Sequence, residues 1–118
     1  MIEKYIRTIY VFGDDFWGFY NAQTLAVQGK IDWVIDLVKT LPQIPEKYLK
    51  HIEGTSGLYE MRIKLGSNIY RIFCFFDEGR LVILLNGFQK KSEKTPKSEI
   101  IKAERLKKQY YENKTRKK

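Results

Sequence analysis

Apolar residues recur along the chain with two different periods, and the switches between them delimit the elements. Ile2 to Phe12 is rich in β-branched and aromatic residues and predicts a first strand. Gly13-Asp14-Asp15 ends it, with Asp14 or Asp15 placed to cap a short helix. Phe16, Phe19 and Tyr20 would lie on one face of that helix, at i, i+3, i+4 spacing. A second helix is expected from about Ala22 to Leu41. Ile31, Val34, Ile35 and Val38 make its apolar stripe, and Trp33 and Leu37 widen it. Pro42 and Pro45 break it. Leu41 to Thr55 then reads as a connector, with a helical turn around Glu46 to Lys50.

From Leu58 the period becomes two. Leu58, Glu60, Arg62 and Lys64 point one way, and Tyr59, Met61, Ile63 and Leu65 the other. Gly66-Ser67-Asn68 is a turn, and Ile69 to Asp77 is the returning strand. Glu78-Gly79 turns again into Leu81 to Gln89. There Leu81 to Leu85 is apolar on both faces, as in a covered central strand. Thr95-Pro96 opens a last helix, with Thr as N-cap and Pro at the first helical position. Ile100, Ala103, Leu106 and Tyr110 form its stripe. The order is β-α-α-β-β-β-α. It predicts an α+β fold with helices on one face of an antiparallel sheet. Residues 1–112 form a single domain in this reading, and 113–118 a basic tail.

Charge changes the picture through its location. Met1 to Phe88 is neutral, whereas Gln89 to Lys118 has twelve Lys/Arg against four Asp/Glu. The entire net charge of +8 therefore belongs to the last quarter of the chain. Such asymmetry points to a polyanionic partner, nucleic acid first. A solvated basic helix is the plainer alternative. Cys74 is the single cysteine, lies in an apolar run and reads as core. That usage fits a reducing cytoplasm. No apolar stretch approaches the roughly 18 residues of a membrane span. Met1-Ile2-Glu3-Lys4-Tyr5 lacks the pattern of a secretion signal. A cytoplasmic protein is the expectation.

Most familiar chemistry is excluded. The chain has no CxxC pair, no HExxH, no phosphate-binding Walker loop and no nucleophile elbow. A lone His51 cannot build a histidine metal site. Two arginines remain, Arg62 and Arg71, one on each side of the Gly66 turn. A two-residue Gly66-Ser67 turn pairs Leu65 with Asn68 and sets Arg62 opposite Arg71. A three-residue loop would set Arg62 against Ile72 instead. The first register is favoured, because it keeps Met61 and Ile63 on the face of Tyr70 and Ile72. Facing arginines repel unless an anion lies between them: a bound phosphate, or Glu60 in a structural ion pair. Past the third strand of this meander come Lys90, Lys91, Lys94 and Lys97, approaching a helix N-terminus that itself favours anions. Phe88 among them is either a stacking surface for a base or a core residue. The lysines are either a phosphate-binding rim or a solvated turn.

These blocks carry a resemblance. Leu58-Tyr59-Glu60-Met61-Arg62, Ile69-Tyr70-Arg71-Ile72, Phe75-Phe76-Asp77, Leu84-Leu85-Asn86-Gly87-Phe88-Gln89-Lys90-Lys91 and Lys94-Thr95-Pro96 occur in the order seen in the RelE/ParE toxin superfamily. The chain most resembles its phage-derived HigB-like branch, over roughly Leu58 to Tyr110. The resemblance implies a RelE-like fold and the toxin of a type II toxin–antitoxin pair. It implies a ribosome-dependent endoribonuclease of messenger RNA, working without metal or cofactor, and a helix-turn-helix antitoxin as partner. Arg and Lys replace the usual histidines in such enzymes. Arg62, Arg71, Lys90, Lys91 and Lys94 match the catalytic pattern. Tyr70, Asn86, Phe88, Lys97 and Lys102 are the expected RNA-binding residues. Many relatives have histidine where this chain has Asn86, which removes a proton-transfer group there. ParE-like members share the fold but poison DNA gyrase, and a binding module without activity is the third reading.

Overall fold

The meander expected from Leu58 onward is the centre of the protein. The computed structural model describes residues 5–116. In chain order the elements are β1 (Thr8–Val11), α1 (Asp15–Asn21), α2 (Leu25–Thr40), β2 (Leu49–His51), β3 (Leu58–Leu65), β4 (Asn68–Asp77), β5 (Leu81–Lys90) and α3 (Lys97–Arg116). The five strands form one sheet in the order β1-β5-β4-β3-β2. β3, β4 and β5 pair antiparallel, as does the short β2 with β3, while β1 runs parallel to β5.

Period two dictates two apolar faces. Met61, Ile63, Tyr70, Ile72, Cys74, Val82 and Leu84 face α1 and α2, and join Phe16, Val27, Ile31, Val34 and Val38 in one core. Leu58, Phe73, Phe75, Ile83 and Leu85 face the other way and join Ala103 and Leu106 of α3 in a second. Burying an aliphatic side chain contributes about 1.5–3 kcal/mol, so each face needs its cover.

The helices start and stop for identifiable reasons. The Thr24 hydroxyl accepts from the Val27 amide and caps α2, which therefore begins after the expected Ala22. Such a cap contributes about 1 kcal/mol. At the other end the Arg7 guanidinium donates to the carbonyls of Val38, Leu41 and Pro42, satisfying acceptors that the helix leaves unpaired. The α1 N-cap is Asp14, with no hydrogen bond from its side chain. α3 starts at Lys97, where the Pro96 carbonyl accepts from Glu99 and Ile100.

Four expectations need correction. The connector holds a strand, β2, directly after the expected single turn, in which the Tyr48 and Leu49 amides donate to the Pro45 carbonyl. The sheet is mixed rather than antiparallel, because β1 joins β5 in parallel. α3 lies on the face opposite α1 and α2, so the helices are not on one side. Finally, α3 runs through Arg116, so 113–116 are helix rather than tail. The α+β class stands. Strand β1 begins at Thr8, and the Ile2–Lys4 part of the expected strand lies outside the described residues.

Candidate functional site

The β3–β4 register is the two-residue one: Leu65 pairs with Asn68 across Gly66-Ser67, and Arg62 with Arg71. Gly66 has φ +61°, a conformation that disfavours side chains and selects glycine at this turn. Arg71 in turn pairs with Phe88, and Lys64 and Lys90 both pair with Ile69. Two rows therefore cross three strands on the α3 side of the sheet: Arg62–Arg71–Phe88, then Lys64–Ile69–Lys90. A bulge at β5 opposite Ile72–Cys74 restores the register that puts Phe88 and Lys90 on this face.

The two arginines share one carboxylate. Glu60 Oε2 lies 3.4 Å from Arg62 Nε and 3.6 Å from Arg71 Nε. Arg71 is 6% exposed and Glu60 8%. Neither Nε makes a hydrogen bond within the described residues. Arg71 Nη1 donates to the Tyr70 carbonyl, and Arg62 Nη1 reaches the Glu46 carbonyl at 3.4 Å. Burial lowers the Arg71 pKa from its ordinary value; Glu60 opposes that shift and Arg62 adds to it. The guanidinium stays charged, since arginine begins far above neutral pH. Two cations held by one anion leave a net positive site. A second anion, such as a phosphodiester, would offset the remaining repulsion.

A cleft of about 490 Å³ opens beside the pair, lined by Lys30, Lys47, Tyr48, Arg62, Lys64 and Arg71 among others. Lys30 comes from α2 and Lys47 from the turn before β2. Their approach depends on tertiary packing, so no local pattern announced them.

The expected site residues divide. Arg62, Arg71 and Lys90 come together on one face. Lys91, Lys94 and Lys97 are exposed along the loop into α3 and its first residue. Phe88 is half-buried, its ring edge-on to Phe73 with centroids 5.1 Å apart. Lys102 is near Asp15 Oδ1 at 3.7 Å and Glu99 Oε1 at 3.9 Å, so its charge is already shared.

Two expected RNA contacts are corrected. Tyr70 is buried on the opposite face, against Phe19. The alternation that aims Arg71 at the cleft aims its neighbour away from it. Asn86 is 1% exposed and donates its amide to the Glu99 carbonyl and carboxylate, at 3.2 and 3.0 Å. It fastens the first turn of α3 to the sheet and offers no surface to RNA. Among the described residues there is no group of three or more His, Cys, Asp or Glu that could hold a metal ion. No helix of the described residues is long and apolar enough to cross a membrane.

Residues 19–108, most of the chain, match the family described as phage derived protein Gp49-like (DUF891). The chain belongs to this Gp49-like family. The family falls within the RelE/ParE-like toxin superfamily, so the coarse assignment is to a toxin-like protein with an antitoxin as its general class of partner. A search of curated proteins finds no match. The Gp49-like match spans α2, the whole β2–β5 meander and the first half of α3. It thus includes every cleft-lining residue named above.

Proposed function

We propose that this Gp49-like protein is a HigB-like toxin, a ribosome-dependent endoribonuclease that cuts translated messenger RNA. The observation that carries the reading is the Arg62–Arg71 pair, held at one carboxylate with Arg71 buried and Arg62 half-buried, both lining a basic cleft. RNA cleavage by its own 2′-hydroxyl needs three things: a proton taken from that hydroxyl, charge on the phosphorane stabilised, and a proton given to the leaving 5′-oxygen. Atoms balance within the RNA, which ends as a cyclic phosphate and a free 5′-hydroxyl. In this proposal Arg62 and Arg71 hold the phosphorane oxygens. Lys90, Lys91 and Lys94 supply the surrounding positive field that attracts the RNA backbone. Phe88 and Lys97 flank the strand, and a helix-turn-helix antitoxin covers the basic surface. An acidic antitoxin face would speed that association, and toxin and antitoxin should copurify in low salt.

The test is induction in cells without antitoxin, followed by mapping of messenger ends. New ends inside translated messages, absent with Arg71→Ala, support the proposal. Intact messages with accumulating gyrase–DNA cleavage complexes would assign the protein to the ParE-like group instead.

A further inference from the structure

The cleft has a second wall that the motif residues leave unexplained. Lys30 Nζ lies 4.4 Å from the centre of the Trp33 ring, and Lys47 Nζ lies 5.6 Å from that of Tyr48. The two rings meet edge to face, 5.4 Å apart. Trp33 keeps 45% of its surface open, an unusual exposure for an indole. Lys30, Lys47 and Tyr48 line the same cleft as Arg62 and Arg71. Cation, ring, ring and cation thus follow one another from α2 across to the turn before β2.

We propose that Lys30, Trp33, Lys47 and Tyr48 form a nucleotide subsite for single-stranded RNA flanking the phosphate held by Arg62 and Arg71. The inference rests on the ribonuclease reading and adds the path of the strand. Single-stranded nucleic acid is bound by aromatic faces for its bases and by cations for its backbone, and both are present here in alternation. An aromatic pair serving only the core would not need two lysines aimed at its rings. A pair of lysines serving only solubility would not need to share a cleft with two arginines. The alternation also predicts tolerance of base identity, since every base offers a π-face.

The test uses a short 2′-O-methyl RNA oligonucleotide, which binds without being cut, and the full chain. The protein has two tryptophans. Trp17 is on α1, edge-on to Phe16 and Tyr20, so Trp17→Phe leaves Trp33 as the single indole reporter. Titration should quench Trp33 emission and saturate together with the anisotropy of a labelled oligonucleotide. Trp33→Leu should weaken binding about tenfold, the usual scale for losing one stacked base. Trp33→Phe should restore most of it. Lys30→Gln with Lys47→Gln should lower the slope of log affinity against log salt by about 1.4, two phosphate contacts on a single strand. Circular dichroism checks that each variant is folded.

Oligonucleotide binding with no change at Trp33 and an unaltered salt slope would overturn the subsite and leave the ribonuclease reading intact. Quenching by a polyglutamate peptide but not by the oligonucleotide would also overturn it, and assign the wall to an acidic protein segment. Loss of the ribonuclease reading is read elsewhere, from messenger ends in cells. The two failures are therefore distinguishable.

Discussion

Arg71 is fixed from three sides: by strand pairing, by the Tyr70 carbonyl and by Glu60. A side chain so held is pre-organised for an anion and need not give up rotamer freedom when one arrives. Arg71→Ala should remove a charge-assisted contact worth roughly 1.5–3 kcal/mol. That corresponds to about one to two orders of magnitude in the chemical step. Glu60 retains Arg62, so the fold should persist. Cleavage of a ribosome-bound message under saturating protein measures the effect, and a wild-type rate would make Arg71 purely structural. Gly87 is a different kind of residue. A Cβ there would lie 2.4 Å from Phe19 Cδ2, and the neighbouring ring carbons are also within 3 Å. Gly87→Ala should therefore destabilise by about 1–3 kcal/mol, the scale of overpacking. Urea unfolding checks this. A Phe19→Leu background should recover part of the loss, because the obstacle is that ring.

α3 is an element with few buried residues, Ala103 and Leu106, and it relies on polar anchors along its length. Asn86 holds the first turn. Lys107 Nζ donates to the Ser56 carbonyl. At the far end the buried Asp77 carboxylate accepts from Tyr110 at 2.7 Å, Tyr111 at 3.3 Å and Lys114 at 2.9 Å. Burial pushes the Asp77 pKa up, but these donors outweigh it and the net shift is downward. A depressed carboxylate adds stability above its unfolded pKa, about 3.9, and loses it as pH falls through the folded value. Asp77→Asn should flatten the acid limb of stability below about pH 4 and raise amide exchange in the last turns of α3. Tyr110 is shifted the other way, up to about 12, by burial and then by Asp77. Its contribution is present below pH 10 and lost as pH rises towards 12. Tyr111 and Tyr20 are also shifted upward, so a phenolate titration should show several late tyrosines, of which Tyr110 and Tyr111 move earlier in Asp77→Asn.

At this scale the limits of the sequence have physical causes. The meander and its register were legible, because alternation over β3 and β4 leaves one pairing that keeps both apolar sets together. The run Leu81 to Leu85, apolar on both faces, already demanded cover on both sides, which one-sided helices cannot supply. β2 is too short, with Lys50 and His51 exposed, for period two to register. The parallel pairing of β1 is a long-range choice that local pattern does not encode. Within the candidate site, the Arg62–Arg71 pairing followed from register, whereas Lys90 was read only as one of a run of lysines, because the β5 bulge that sets its face has no local signal. Tyr70 was misread because alternation puts it on the face opposite Arg71, and Asn86 because the first turn of α3 covers it on the α3 side. Lys30 and Lys47 had no motif at all.

For the molecule as a whole, charge and site are not the same thing. The surplus of positive charge belongs to the last quarter of the chain, mostly on α3 and the loop before it, where it can attract RNA over distance. The arginine pair, buried Arg71 and half-buried Arg62, comes from the neutral part. Lys102→Ala should therefore change little in the chemical step, and its effect on association should be small because Asp15 and Glu99 already share its charge. Salt should weaken association and spare cleavage once the protein is bound. All of this depends on the claim that the arginine cleft cuts RNA. The direct measurement is mapping of messenger 5′ ends after induction of the wild-type protein and of Arg71→Ala at matched levels. New ends within translated messages for the wild type, missing for Arg71→Ala, are the predicted result. Identical messenger ends in induced and uninduced cells, while growth still stops, would contradict it.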